Sequence, residues 1–175
     1  SVDLRYDSIL EHVDSLLVDV NFQPEEKEIL LRSDIATGFL RGQFQSPEII
    51  RQIRSFIRSY LDPTYAGYTQ PDTGAARIDF DVEFIRPGIL TSGLIPELSE
   101  LSPATISGRY QAAEELLFLR ADIPRLRYTG IAFDSLSAGV GISRDTFGYR
   151  IEFRRMNAFD QIQAENLTLQ GRFQE

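Results

Sequence analysis

Asp79, Asp81 and Glu83 are the residues in this chain whose type and spacing point most directly to chemistry. On an extended strand, alternate positions share one face, so the three carboxylates line up about 6.5–7 Å apart. A row of oxygen donors of that kind suits Mg2+, Mn2+ or Ca2+, and metal-dependent hydrolysis uses such rows. The same row also reads as a solvated strand face. A second strand over 149–155 would carry Arg150, Glu152 and Arg154 on its own polar face. Set antiparallel to the first strand, it would match arginines with carboxylates, and such cross-strand pairs contribute about 0.2–1 kcal/mol each. We therefore expect an ion-pair ladder here and treat the metal site as the alternative.

The remaining reactive inventory is thin. There is no cysteine and no tryptophan, one histidine (His12), one lysine (Lys27) and one methionine (Met156), against 17 arginines. Thiol nucleophiles and thiolate metal sites are excluded, and acid/base chemistry through histidine has a single candidate. His12 lies near Ser8 and Asp19 in sequence, but helix neighbours seldom take up triad geometry, and no G-x-S-x-G elbow exists. Gly139-Val140-Gly141 looks like a fragment of a phosphate loop. It lacks the third glycine and a following helix, and no Walker lysine accompanies it. Asn166-Leu167-Thr168 matches a glycosylation sequon that no other feature supports. No catalytic residue, resident metal or cofactor is expected.

Net charge is −8 over 175 residues, unevenly placed. The first hundred residues carry −8, while residues 120–155 carry +3. A net-acidic protein has little to neutralise phosphates with, so strong nucleic-acid binding is not expected. The basic segment is expected to pair with the acidic half of the same chain. No apolar run reaches the ~18 residues of a helical membrane span. The first ten residues hold two aspartates and no apolar stretch, so no signal peptide is expected in them. The expected location is cytoplasmic or within an assembled particle.

The elements that must position these residues read as α+β in a single domain over 1–175. The helical N-terminal part, residues 1–61, is followed by a largely antiparallel β-rich part over 77–173 with one inserted helix. Ile9, Leu10, Val13, Leu16, Leu17 and Val20 recur at helical spacing and predict a first helix over about 3–20. Pro24-Glu25-Glu26 opens a second, with Ile29, Leu30, Ile35, Phe39 and Leu40 on its apolar face. Ser46-Pro47-Glu48 opens a third that ends at Asp62-Pro63, with Ile53 inward and Arg54 outward. Strict alternation predicts a strand over 78–84, and a leucine-rich run predicts the inserted helix over about 106–121. Further strands are predicted near 128–133, 149–155 and 165–173.

A poor catalytic toolkit and an arginine- and tyrosine-rich composition favour interaction over catalysis. The apolar, irregular stretch at 86–104 holds Leu90, Leu94, Ile95 and Leu98. It reads either as a cap on this domain's own sheet or as an arm laid on a neighbouring subunit. With Tyr65 and Tyr68 these four form the expected interface. The expected function is a non-enzymatic structural or assembly subunit that binds copies of itself or other subunits. A virion or phage neck, tail or baseplate component is the most concrete member of that class. The alternatives are a divalent-metal-dependent hydrolase on Asp79, Asp81 and Glu83, and a small-molecule binding module using Tyr128, Phe133 and Tyr149.

Overall fold

The computed structural model describes residues 2–6, 9–23, 26–44, 76–87, 97–144, 146–159 and 161–174, with side chains from residue 14 onward. The strands are β1 (Val2–Tyr6), β2 (Ile9–Val13), β3 (Leu16–Phe22), β4 (Lys27–Ser33), β5 (Ala36–Gln43) and β6 (Arg77–Phe84). They continue as β7 (Leu98–Leu101), β8 (Ala104–Gln111), β9 (Leu116–Tyr128), β10 (Ile131–Ser143), β11 (Thr146–Ala158) and β12 (Ile162–Gln174). β1 and β2 form a two-stranded sheet of their own. The others make one ten-stranded sheet in the order β12-β11-β10-β9-β8-β6-β5-β4-β3, with β7 beside the far end of β9. Every pairing is antiparallel.

The α+β expectation is overturned: the described residues are almost wholly antiparallel β. The first predicted helix is β1, β2 and β3, and the second is β4 and β5. In each, a period-two pattern lay beneath the helical one. Leu16, Val18, Val20 and Phe22 alternate with Leu17, Asp19 and Asn21, and Val18 and Val20 are β-branched residues that suit a pleated surface. The inserted helix over 106–121 is β8, a 3-10 turn at Ala112–Glu114, and β9. The Ala-Ala-Glu-Glu run that favours a helix makes only that turn. Glu115 then adopts φ 50°, and its N–H donates to the Ala112 carbonyl, so the chain reverses into β9. The predicted strands over 78–84, 149–155 and 165–173 lie within β6, β11 and β12. The one near 128–133 straddles the β9–β10 turn, at Thr129 and Gly130, both with positive φ. The third predicted helix, with Ile53 and Arg54, lies outside the described residues.

The register gives the sheet two unlike faces. One apolar row runs Val20, Ile29, Leu40, Phe80, Gly108, Leu119, Val140, Tyr149, Gly171, one residue from each of nine strands in order. Both glycines in it are covered by neighbouring rings. A Cβ at Gly108 would come within 2.7 Å of Phe80, and one at Gly171 within 2.5 Å of Tyr149. The next row contains Ile78, Tyr110, Leu117 and Ile142, all essentially without solvent exposure. Together with Phe44, Ala76 and Ala112 they are the core cluster. Full burial of a large apolar side chain is worth about 1.5–3 kcal/mol, so this row anchors the sheet.

Farther along the strands the pleat resets. Ser135 and Asn166, at φ 55° and 51°, flank Arg154 on the two sides of β11. Beyond this line Phe133 meets Phe153 edge to face at 5.5 Å, although uninterrupted alternation would put them on opposite faces. The strand register is the same on both sides of this line, so the change of face comes without an inserted residue.

Candidate interaction surface

The carboxylates of β6 sit on the polar face, between β5 and β8. Asp79 lies opposite Arg41 and Arg109, Asp81 opposite Phe39 and Ser107, and Glu83 opposite Thr37 and Thr105. Arg109 Nε donates to Asp79, and Arg77 reaches it at 3.5 Å. The ladder expected for this row is therefore present at Asp79, but with other arginines. Arg150 and Arg154 are on β11, separated from β6 by β8, β9 and β10. Sequence reasoning missed these partners because strand order is set by the connections and is not visible in alternation alone. Among the described residues no group of three or more His, Asp or Glu side chains is placed to hold a metal ion.

The basic segment satisfies itself locally. Arg120 donates to Asp122 at 2.6 and 3.1 Å, and Arg150 donates to Glu152 at 2.6 Å. The Arg120 guanidinium holds the Asp122 carboxyl below its ordinary pKa, helped by Ser137 and opposed by burial. The Arg150 guanidinium does the same for Glu152, with Thr168 adding a further bond. Pairing between partners two residues apart on one strand face is a short-range solution that the expectation of pairing with the acidic half did not anticipate. Arg155–Glu165 at 3.4 Å extends the pattern between strands, while Arg127–Glu100 at 3.8 Å is a pair of the expected kind, between the basic segment and the acidic first hundred residues.

Gly139 and Gly141 belong to the interior of β10 and not to a phosphate loop. Gly141 pairs with Gly148, and a Cβ on Gly141 would meet nothing within 4 Å. Missing side chains there open a shallow trough of about 860 Å³ on the polar face, bordered by Phe118, Arg120, Arg150 and Arg172. The small-molecule reading built on Tyr128, Phe133 and Tyr149 does not come together. Val140, the cross-strand neighbour of Tyr149, is seven residues along β10 from Phe133, roughly 23 Å at ~3.3 Å per residue. Lys27 is on β4, its Nζ donating to the Phe44 carbonyl at 2.6 Å and lying 5.6 Å from the centroids of Phe22 and Phe44. It is a structural cation at the edge of the core. His12 is on β2, with its backbone opposite Asp3.

Of the expected interface, Leu98 is 5% exposed in β7, so it is core. Leu90, Leu94, Ile95, Tyr65 and Tyr68 lie outside the described residues. Most of the exposed large apolar side chains lie on the two outer strands, with Phe39, Ile85, Ile106, Phe118, Tyr128 and Phe159 elsewhere. Those of the outer strands are Leu16, Leu17, Val18, Val20 and Phe22 on β3, and Ile162, Leu167, Leu169 and Phe173 on β12. Each outer strand is bonded on one side only in the described sheet, which leaves a row of backbone donors and acceptors facing outward. No described helix is long and apolar enough to cross a membrane, a fact that does not bear on strands. Comparison with protein-family models, with curated proteins and with solved structures finds no match.

Proposed function

We propose that this chain is a non-enzymatic assembly subunit whose open sheet edges join it to other protein chains, copies of itself included. The observation that carries the reading is the pairing of edges that no described strand bonds with exposed aliphatic and aromatic side chains on both outer strands. An edge of this kind is a template for another strand, and proteins that stay monomeric blunt it with charge, proline or a covering segment. The polar face supports the reading indirectly, since Asp79, Asp122 and Glu152 are each engaged by an arginine. The test is native mass, measured on the purified chain and on the chain released gently from its own source. A mass above the 19.9 kDa of one chain is expected in at least one of the two. A single-chain mass in both contradicts the proposal.

A second reading is favoured by the apolar row itself. It crosses nine strands, roughly 38 Å at ~4.8 Å per strand. An acyl chain would lie along part of that row. Saturable binding of a fluorescent fatty acid, weakened in Leu119→Asp but not in Arg109→Ala, is its test.

A further inference from the structure

We infer that the outer edge of β12 docks the β12 of a second copy, antiparallel, about a two-fold axis at Gln170. The inference rests on the assembly reading and names the partner for one of its edges. β12 spans Ile162–Gln174 and, among the described strands, pairs only with β11, so no described strand bonds to its other side. It contains no proline and no lysine, the usual guards of an edge. Asn166, at φ 51°, interrupts the strand and leaves Leu167–Gln174 as its uninterrupted run, and Gln170, a polar-face residue near the middle of that run, is where a two-fold axis sets like faces together.

Pairing that run with itself about Gln170 sets Leu167 against Phe173 of the second copy and Leu169 against Gly171. On the other face it sets Thr168 against Arg172 and Gln170 against Gln170. Apolar residues therefore meet apolar residues, polar meet polar, and no like charges oppose each other, the condition for stabilising cross-strand pairs. The glycine has a specific role in the fit. The Tyr149 ring lies over Gly171 and stacks on Phe173 with centroids 6.3 Å apart, while Phe173 is 62% exposed. Leu169 and Leu167 of the second copy would continue this cluster outward and cover the exposed side of Phe173. A two-fold axis normal to the sheet keeps both apolar faces on one side and closes the assembly as a dimer.

The chain has no cysteine, so a single introduced thiol reports its own contact. In the full chain, Gln170→Cys should form an intermolecular disulfide under mild oxidation, because residues on the axis face their own copies. Ser99→Cys, exposed in β7 away from both edges, should stay largely monomeric on a non-reducing gel. The purified wild type should have twice the mass of one chain, and Leu169→Lys should halve it with its circular dichroism unchanged. A doubled mass with no Gln170→Cys disulfide above the Ser99→Cys level overturns this pairing and leaves the assembly reading standing. So does a purified single chain that is assembled in its source. Mass that grows without limit on concentration also overturns it, because that marks head-to-tail joining of β12 to β3 of the next copy.

Discussion

Individual positions separate packing from space. Gly108 is held between the Phe118 carbonyl and the Phe80 ring, each 2.7 Å from where a Cβ would stand. Gly108→Ala should cost about 1–3 kcal/mol, the range for overpacking a filled site. Gly141 has open space and no positive φ, so Gly141→Ala should be neutral or stabilising by up to about 1 kcal/mol, through a less flexible unfolded chain. Denaturant melts of the two variants check this, and equal losses would mean that the β10 interior is not open. Asp122 supplies a pH dependence. Its carboxyl is lowered by Arg120, so the unfolded chain binds that proton more readily. The stability it adds is present above the ordinary carboxylate range near ~3.9 and is lost as pH falls through the lowered folded value. Asp122→Asn should therefore melt below wild type at neutral pH and converge with it as pH falls through the acid range, giving a shallower acid limb in a plot of melting temperature against pH. At Asp81, Asp81→Asn should melt like wild type with or without Mn2+. A rise of several degrees with micromolar ion in wild type, lost in the variant, would restore the metal site.

At the scale of elements, legibility depended on how exclusive the period was. Residues 78–84 alternate strictly and are β6. Residues 3–20 and 24–42 satisfied both a helical and a two-residue period, because runs such as Leu16-Leu17-Val18 put apolar groups on both faces of an edge strand. Tertiary pairing then decided between the two. In 106–121 the helix-favouring centre was real but short, a single 3-10 turn between two strands. The candidate site was legible only in part. The arginine–carboxylate logic around Asp79 was correct in kind, whereas its partner strand, and the open edges, depend on a strand order that no local pattern encodes. Adjacent substitutions in β9 test the strand directly. Leu117 has no exposure and Phe118 is 49% exposed. Leu117→Ala should cost about 2–5 kcal/mol and Phe118→Ala under about 1 kcal/mol. Similar losses at both positions would contradict the alternation.

Apart from the β1–β2 pair, the described strands form one long antiparallel sheet, with its strongest burial in a row near one end of the strands and its weakest at the two outer strands. The central nine-strand row is apolar from edge to edge, and nothing among the described strands bonds to the far side of β3 or β12. That combination leaves outward-facing backbone groups and partly exposed apolar side chains in the same place, where one added strand satisfies both. Association is the function we propose, and mass is its most direct readout. The decisive measurement is the native mass of the purified full chain by light scattering over a range of concentrations, with Leu169→Lys in parallel. The account predicts a plateau at twice 19.9 kDa for the wild type and a single-chain mass for the variant. A wild type of one chain mass throughout, or a variant as large as the wild type, would contradict the β12 pairing, and a single-chain mass in the source as well would contradict assembly itself.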